Sequence, residues 1–137
     1  MAAISRTKAS LRLFGADLDP TEVSKLLGAE PTRFATKGDT IASASGDELA
    51  VPYGKWILRA DAVSPGDLDS QIKHLLSRVT NDLSIWRHLT KHYNCNVFCG
   101  LFMNEDNEGD DLSAEVMLML GERGLRLGLD IYALDKE

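Results

Sequence analysis

The stretch from Leu11 to Gly28 constrains the fold of this chain more than any other, because it reads as a strand that turns directly into a capped helix. Leu11 and Leu13 alternate with Arg12 and Phe14, the period of two that sends one set of side chains to each face of a strand. Gly15 breaks the run. Asp19 can accept from the free N–H groups that open a helix, Pro20 suits the first helical position, and Glu22 completes the spacing of a capping box. Leu18 and Val23 stand where two apolar side chains staple the entering chain to its helix. Val23, Leu26 and Leu27 share one face, and Gly28 supplies the residue that ends the helix.

Downstream the same signals recur. The residue before Pro31 avoids the helical region, so Glu30 to Asp39 begins extended, and Lys37-Gly38-Asp39 has turn chemistry. Residues 40–53, rich in Ala, Ser and Gly and without a firm period, predict a mobile surface loop. Tyr53 to Ala60 predicts a strand with Trp56 and Leu58 on one face. Ser64-Pro65-Gly66-Asp67 opens a second helix carrying Leu68, Ile72, Leu75, Leu76 and Val79, and a further helical piece holds Leu83, Ile85, Trp86 and Leu89. Cys95 to Met103 reads as a strand. Ser113 caps a helix through Val116, Met117 and Leu120, closed by Gly121 or Gly124, and Leu125, Leu127, Leu129 and Ile131 alternate as a last strand. The expected fold is an α+β sandwich of ferredoxin-like type, with a mixed or antiparallel sheet of about five strands and helices packed on one face.

A chain of 137 residues suits a single domain over 1–137 that buries ~68–70% of its unfolded surface, with no need of a disulfide or a metal. No apolar run approaches the ~18 residues of a membrane span, and the N-terminus lacks the apolar core of a signal peptide, so no membrane association and a cytoplasmic location are expected. The net charge of −6 argues against a nonspecific nucleic-acid binder, whose affinity comes from neutralised phosphates, but leaves room for a local basic patch.

Several runs resemble an uncharacterised bacterial family, the domain-of-unknown-function family numbered 4279. They are Phe14-Gly15-x-Asp17-Leu18-Asp19-Pro20, Leu27-Gly28-x-Glu30-Pro31-Thr32 and Lys37-Gly38-Asp39. Gly54-Lys55-Trp56, Phe98-Cys99-Gly100-Leu101-Phe102 and Leu127-Gly128-Leu129-Asp130-Ile131-Tyr132 continue the match. The resemblance covers almost the whole chain except 40–52 and 104–111, and it implies no activity and no catalytic residues.

Two constellations invite metal. His88, His92, Cys95 and Cys99 are the residue types that bind zinc, but four residues of strand hold the two cysteines ~13 Å apart, too far for one tetrahedral ion or a disulfide. Asn104-x-Asp106-x-Glu108-Gly109 with Glu115 resembles a calcium loop, yet it begins with Asn, follows a strand, and carries Asp111 where such loops pack an apolar residue. A solvated acidic crossover is the simpler reading. There is no Ser/His/Asp arrangement, Walker loop or dinucleotide fingerprint, and of the neighbouring carboxylates Asp17 and Asp19 the second is committed to capping. No catalytic residue, metal or cofactor is assigned.

The sheet face turned away from the helices is the candidate surface. With Leu11, Leu13, Leu125, Leu127, Leu129 and Ile131 turned inward, Arg12, Phe14, Ile57, Arg59, Arg126, Asp130 and Tyr132 point outward, joined by Phe98 and Phe102 if Val97 and Leu101 point inward. Such a face is too apolar for bare solvent and too charged for a core. Either the 40–53 loop covers it, or a second chain in a homodimer, a protein partner or a flat ligand does. Its aromatic and arginine content suits single-stranded RNA, but no consensus motif occurs and the net charge opposes nucleic acid. The leading expectation is a non-catalytic interaction or ligand-binding module, with Arg12, Phe14, Ile57, Arg59, Phe98, Arg126 and Tyr132 at the interface. The alternative is an enzyme or small-molecule sensor whose pocket, under the 40–53 loop, is lined by Lys37, Asp39, Tyr53, Trp56 and Asp130.

Overall fold

A computed structural model describes residues 2–133. In chain order its elements are β1 (Ala2–Ala3), β2 (Arg6–Gly15), α1 (Pro20–Leu27), β3 (Arg33–Ala35), β4 (Thr40–Ala42), β5 (Glu48–Ala50) and β6 (Gly54–Arg59). There follow α2 (Leu68–Ser77), α3 (Leu83–His92), β7 (Asn94–Phe102), β8 (Glu108–Gly109), α4 (Ala114–Glu122) and β9 (Arg126–Tyr132).

The expected strand-to-helix junction forms as its residues dictate. Asp19 accepts from the Thr21 N–H at 3.0 Å, Pro20 takes the first helical turn, and Gly28 closes α1 at φ 72°. Leu18 and Val23 are both buried. Gly54 lies against this junction so closely that a Cβ there would meet the Leu18 carbonyl oxygen, which fixes the end of β6 beneath the start of α1.

The main sheet has five strands in the order β3-β6-β2-β7-β9. The β2–β6, β2–β7 and β3–β6 pairs are antiparallel and the β7–β9 pair is parallel, so the sheet is mixed and open. The long β2 is central because it pairs on both sides, Leu11 lying opposite Leu58 on one and Val97 on the other. Its Thr7, Ala9, Leu11 and Leu13 point to the helices and are buried with Trp56, Leu58, Val97 and Cys99. Val23, Ile72, Leu75, Trp86, Leu89, Val116 and Leu120 bring the four helices onto the same core. A polar knot sits inside it: Gln71 donates to the carbonyls of Thr7 and Asp61 at 3.0 and 2.8 Å, while Thr7 Oγ1 donates to Gln71 Oε1 at 2.6 Å.

Three sequence expectations change. The second helix starts after Asp67, whose carboxylate accepts from Ser70 N–H, and not at Ser64-Pro65. Residues 40–53 contain a β4–β5 hairpin turned at Gly46 (φ 87°) and not an irregular loop; the pairing of Thr40 with Ala50 and Ala42 with Glu48 needs no core-facing alternation, because both strands are exposed throughout. Leu129 and Ile131 share the helix-side face with Cys99 and Leu101 but are more than half exposed, because β9 is the outermost strand and outruns the helix cover.

Candidate functional site

The alternation of the five strands assigns every outward position. At one level Arg33, Ile57, Arg12, Asn96 and Arg126 lie side by side across the sheet. On one side of that row lie Lys55, Phe14 and Asn94; on the other lie Arg59, Ser10, Phe98 and Gly128, then Lys8, Gly100 and Asp130, then Arg6, Phe102 and Tyr132. Arg6, Lys8, Arg12, Arg33, Lys55, Arg59 and Arg126 give the face seven cations, and Asp130 is the one carboxylate among these strand positions. The excess of acid in the whole chain is therefore carried elsewhere.

Among the described residues no ion pair neutralises these cations. The ion pairs among the described residues join Lys73 to Asp69 and Glu115, and Arg123 to Glu122, and none involves a cation of the open face. Two of the arginines, Arg6 and Arg12, lean instead on aromatic rings. The Arg12 guanidinium lies 4.1 Å from the Phe98 ring centre and 5.2 Å from that of Phe14, and its Nε donates to Asn96 Oδ1 at 3.1 Å. Arg6 stands 4.1 Å over Phe102, whose ring stacks at 4.6 Å on Tyr132. Such contacts hold flexible cations flat against the sheet. Half-burial lowers the pKa of Arg12, with an opposing contribution from Tyr53. Hydrogen bonding and charge from Asp130 raise that of Tyr132.

Three hollows mark this surface. One of about 360 Å³ is lined by Lys8, Arg12, Arg59, Phe98 and Tyr132 over a floor of Ser10 and Gly100. A second of about 200 Å³ shares Arg12 and adds Asn94, Asn96 and Arg126. A third of about 410 Å³ shares Asn94 and adds Phe14, Gly15 and Tyr53. No residue from 40 to 52 lines any of them, so the β4–β5 hairpin does not roof the face.

The structure brings the expected face residues Arg12, Phe14, Arg59, Phe98, Arg126 and Tyr132 onto one surface. Ile57 is also on that side but only 8% exposed, so it forms the floor and not an apolar contact patch. Arg6, Lys8, Arg33 and Lys55 are additions; the alternation of Arg6, Lys8 and Ser10 with Thr7 and Ala9 was the signal for the first two.

The expected pocket residues are not gathered. Lys37 and Asp39 sit in an exposed turn, where Asp39 accepts from the Thr36 N–H at 2.8 Å. Tyr53 meets Phe14 edge-on at 5.8 Å. Trp56 is fully buried on the helix side, its indole N–H donating to Ser24 Oγ at 3.0 Å. Asp130 lies on β9, separated from β6 by β2 and β7.

The metal-like constellations also resolve into structure. Cys95 and Cys99 point into the core, and burial pushes both thiols up to about 12. His88 and His92 lie at the surface of α3 with ring centres 4.5 Å apart and planes tilted by 44°. Glu108 accepts from the Ser5 and Asn104 N–H groups at 3.0 and 3.1 Å, and Asp110 accepts from Leu68 N–H at the start of α2. Among the described residues no three His, Cys, Asp or Glu side chains are arranged to hold a metal ion, and no helix is long and apolar enough to cross a membrane.

No curated protein and no solved structure matches the chain. The sequence does match, over residues 5–134, the family described as domain of unknown function DUF4279, and with nearly its whole length so covered the chain belongs to that family.

Proposed function

We propose that this chain is a non-catalytic module that binds an anionic ligand or partner on the open face of its sheet. The observation that carries this reading is the set of seven outward cations, three of them (Arg6, Lys8 and Arg12) lying over aromatic rings and none in an ion pair among the described residues. Unpaired charge concentrated over concave, partly apolar ground favours an occupant of opposite sign. A homodimer through this face would set cations against cations, so self-association is the weaker form of the proposal. An enzyme or sensor pocket beneath residues 40–53 draws no support, since Trp56 turns away from that region and Asp130 stands at the far edge.

We read the fold as ferredoxin-like with an added edge strand. In support, β2, α1, β3 and β6 form a split βαβ in which antiparallel β6 lies between two parallel strands, and β7 returns on the other side of β2. We assign the protein to the cytoplasm on the strength of its two free thiols, which suit a reducing compartment.

Retention on immobilised heparin at neutral pH and low salt tests the binding reading. A protein of net charge −6 is expected to be retained through this face, and an Arg12→Ser/Arg59→Ser variant to pass through unretained. Flow-through of the wild type, or equal retention of the variant, would overturn it.

A further inference from the structure

The three hollows on the open face are not separate pits. Arg12 belongs to the first and second, and Asn94 to the second and third, so they join into a track crossing the sheet obliquely. The row from Arg33 on β3 to Arg126 on β9 spans four inter-strand steps, about 19 Å. Along β2, Arg6 and Arg12 are separated by about 20 Å of extended chain. One small anion fills one hollow and leaves the outlying arginines unanswered. An extended polymer with repeated negative charges answers several of them at once.

Resting on the anion-binding reading above, we propose that the occupant is a single-stranded nucleic acid laid along this track. Its phosphates meet Arg12, Arg59, Arg126 and Lys8, and its bases lie against Tyr132 and the flat guanidinium groups. Two features favour it over an acidic peptide. Tyr132 is 48% exposed although one side of its ring is stacked on Phe102, so it offers a flat surface at the rim of the first hollow. Asn94 and Asn96 line the middle hollow with side-chain amides, which pair with base edges as both donors and acceptors. Unstacked bases use both features, whereas the bases of a duplex are paired and stacked already. The acidity of the whole chain does not oppose the contact, because the face itself is strongly positive.

Fluorescence anisotropy with a labelled mixed-sequence oligonucleotide, about ten nucleotides long, tests this in ribose and deoxyribose forms. Either single strand is expected to bind, with affinity falling as salt rises at a logarithmic slope of about −3, the value for roughly four neutralised phosphates. Tyr132→Ala is expected to weaken binding about 5- to 150-fold, the range for loss of one base-stacking contact. Arg59→Ser, at an exposed position that leaves the core untouched, weakens it and flattens the salt slope, whereas Lys91→Ser on α3 changes nothing. Competition separates the sources. Displacement by ATP as effective, mole for mole, as by unlabelled oligonucleotide would reassign the site to a free nucleotide, and displacement by poly-glutamate alone would reassign it to an acidic protein. Equal affinity for duplex, or heparin retention without oligonucleotide binding, would overturn the nucleic-acid assignment while leaving the anion-binding reading standing. Absence of both would overturn both.

Discussion

Thr7 and Gln71 satisfy each other inside the core. The hydroxyl of Thr7 donates to the amide oxygen of Gln71 at 2.6 Å and accepts from the Asp67 N–H at 2.9 Å, so one side chain ties the central strand to the start of α2. Thr7→Val keeps the shape but takes the hydroxyl away from the buried amide oxygen of Gln71 and from the part-buried Asp67 N–H. A loss of about 1–3 kcal/mol is expected, read from the urea midpoint at an unchanged m-value.

Asp19→Ala removes the acceptor for the first free N–H of α1. The expected cost is about 0.5–2 kcal/mol with no change in the far-ultraviolet spectrum beyond slight fraying. An unaltered midpoint would mean that another group caps the helix.

Gly54→Ala is expected to be worse than its one added carbon suggests. The new Cβ presses on the Leu18 backbone, which cannot swing aside as a side-chain tip can, so overpacking of about 1–3 kcal/mol follows. Gly46→Ala, strained at φ 87° but with open space around it, separates backbone strain from collision.

The two thiols predict a pH dependence. Burial holds Cys95 and Cys99 protonated up to about 12, well above their unfolded value, so folded protein binds more protons than unfolded protein at alkaline pH. Their contribution to stability is complete below about 8.5 and declines as pH rises from there toward the folded value. Stability is therefore expected to fall between pH 8 and 10, less steeply in a Cys95→Ala/Cys99→Ala variant. Native protein at pH 8 should react with a disulfide reagent only as fast as it opens, and prompt reaction would show that the thiols are not shielded.

The first strand and helix were legible because local rules agree there: alternation, cap, proline and terminal glycine all act within a few residues. The open face was legible only in part. Arg12, Phe14 and Phe98 could be assigned from alternation, but Arg6 and Lys8 were not, since Thr7 and Ala9 give the inward side of that half-strand too little apolar contrast. Lys55 follows the same alternation as Ile57 and Arg59, whereas Arg33 joins the face only through its pairing with β6, which no local pattern encodes. Net charge says little about this face for a similar reason. It sums the chain, whereas alternation sorts cations to one side of a sheet. The supposed pocket failed on Trp56, whose aromatic ring suits a ligand site and a core equally; the register opposite Leu13 decides for the core.

The central position of β2 also has a consequence for synthesis. It is the first long strand in chain order, yet β7, which fills its second edge, is added roughly eighty to a hundred residues later. At about 5–20 residues per second, that strand waits on the order of 4 to 20 s with one edge open. During this interval its alternating arginines and lysines sit on an unpaired edge, where like charges discourage pairing with the same strand of a neighbouring nascent chain. The positive stripe along β2 can thus guard the chain before there is any sheet on which to bind.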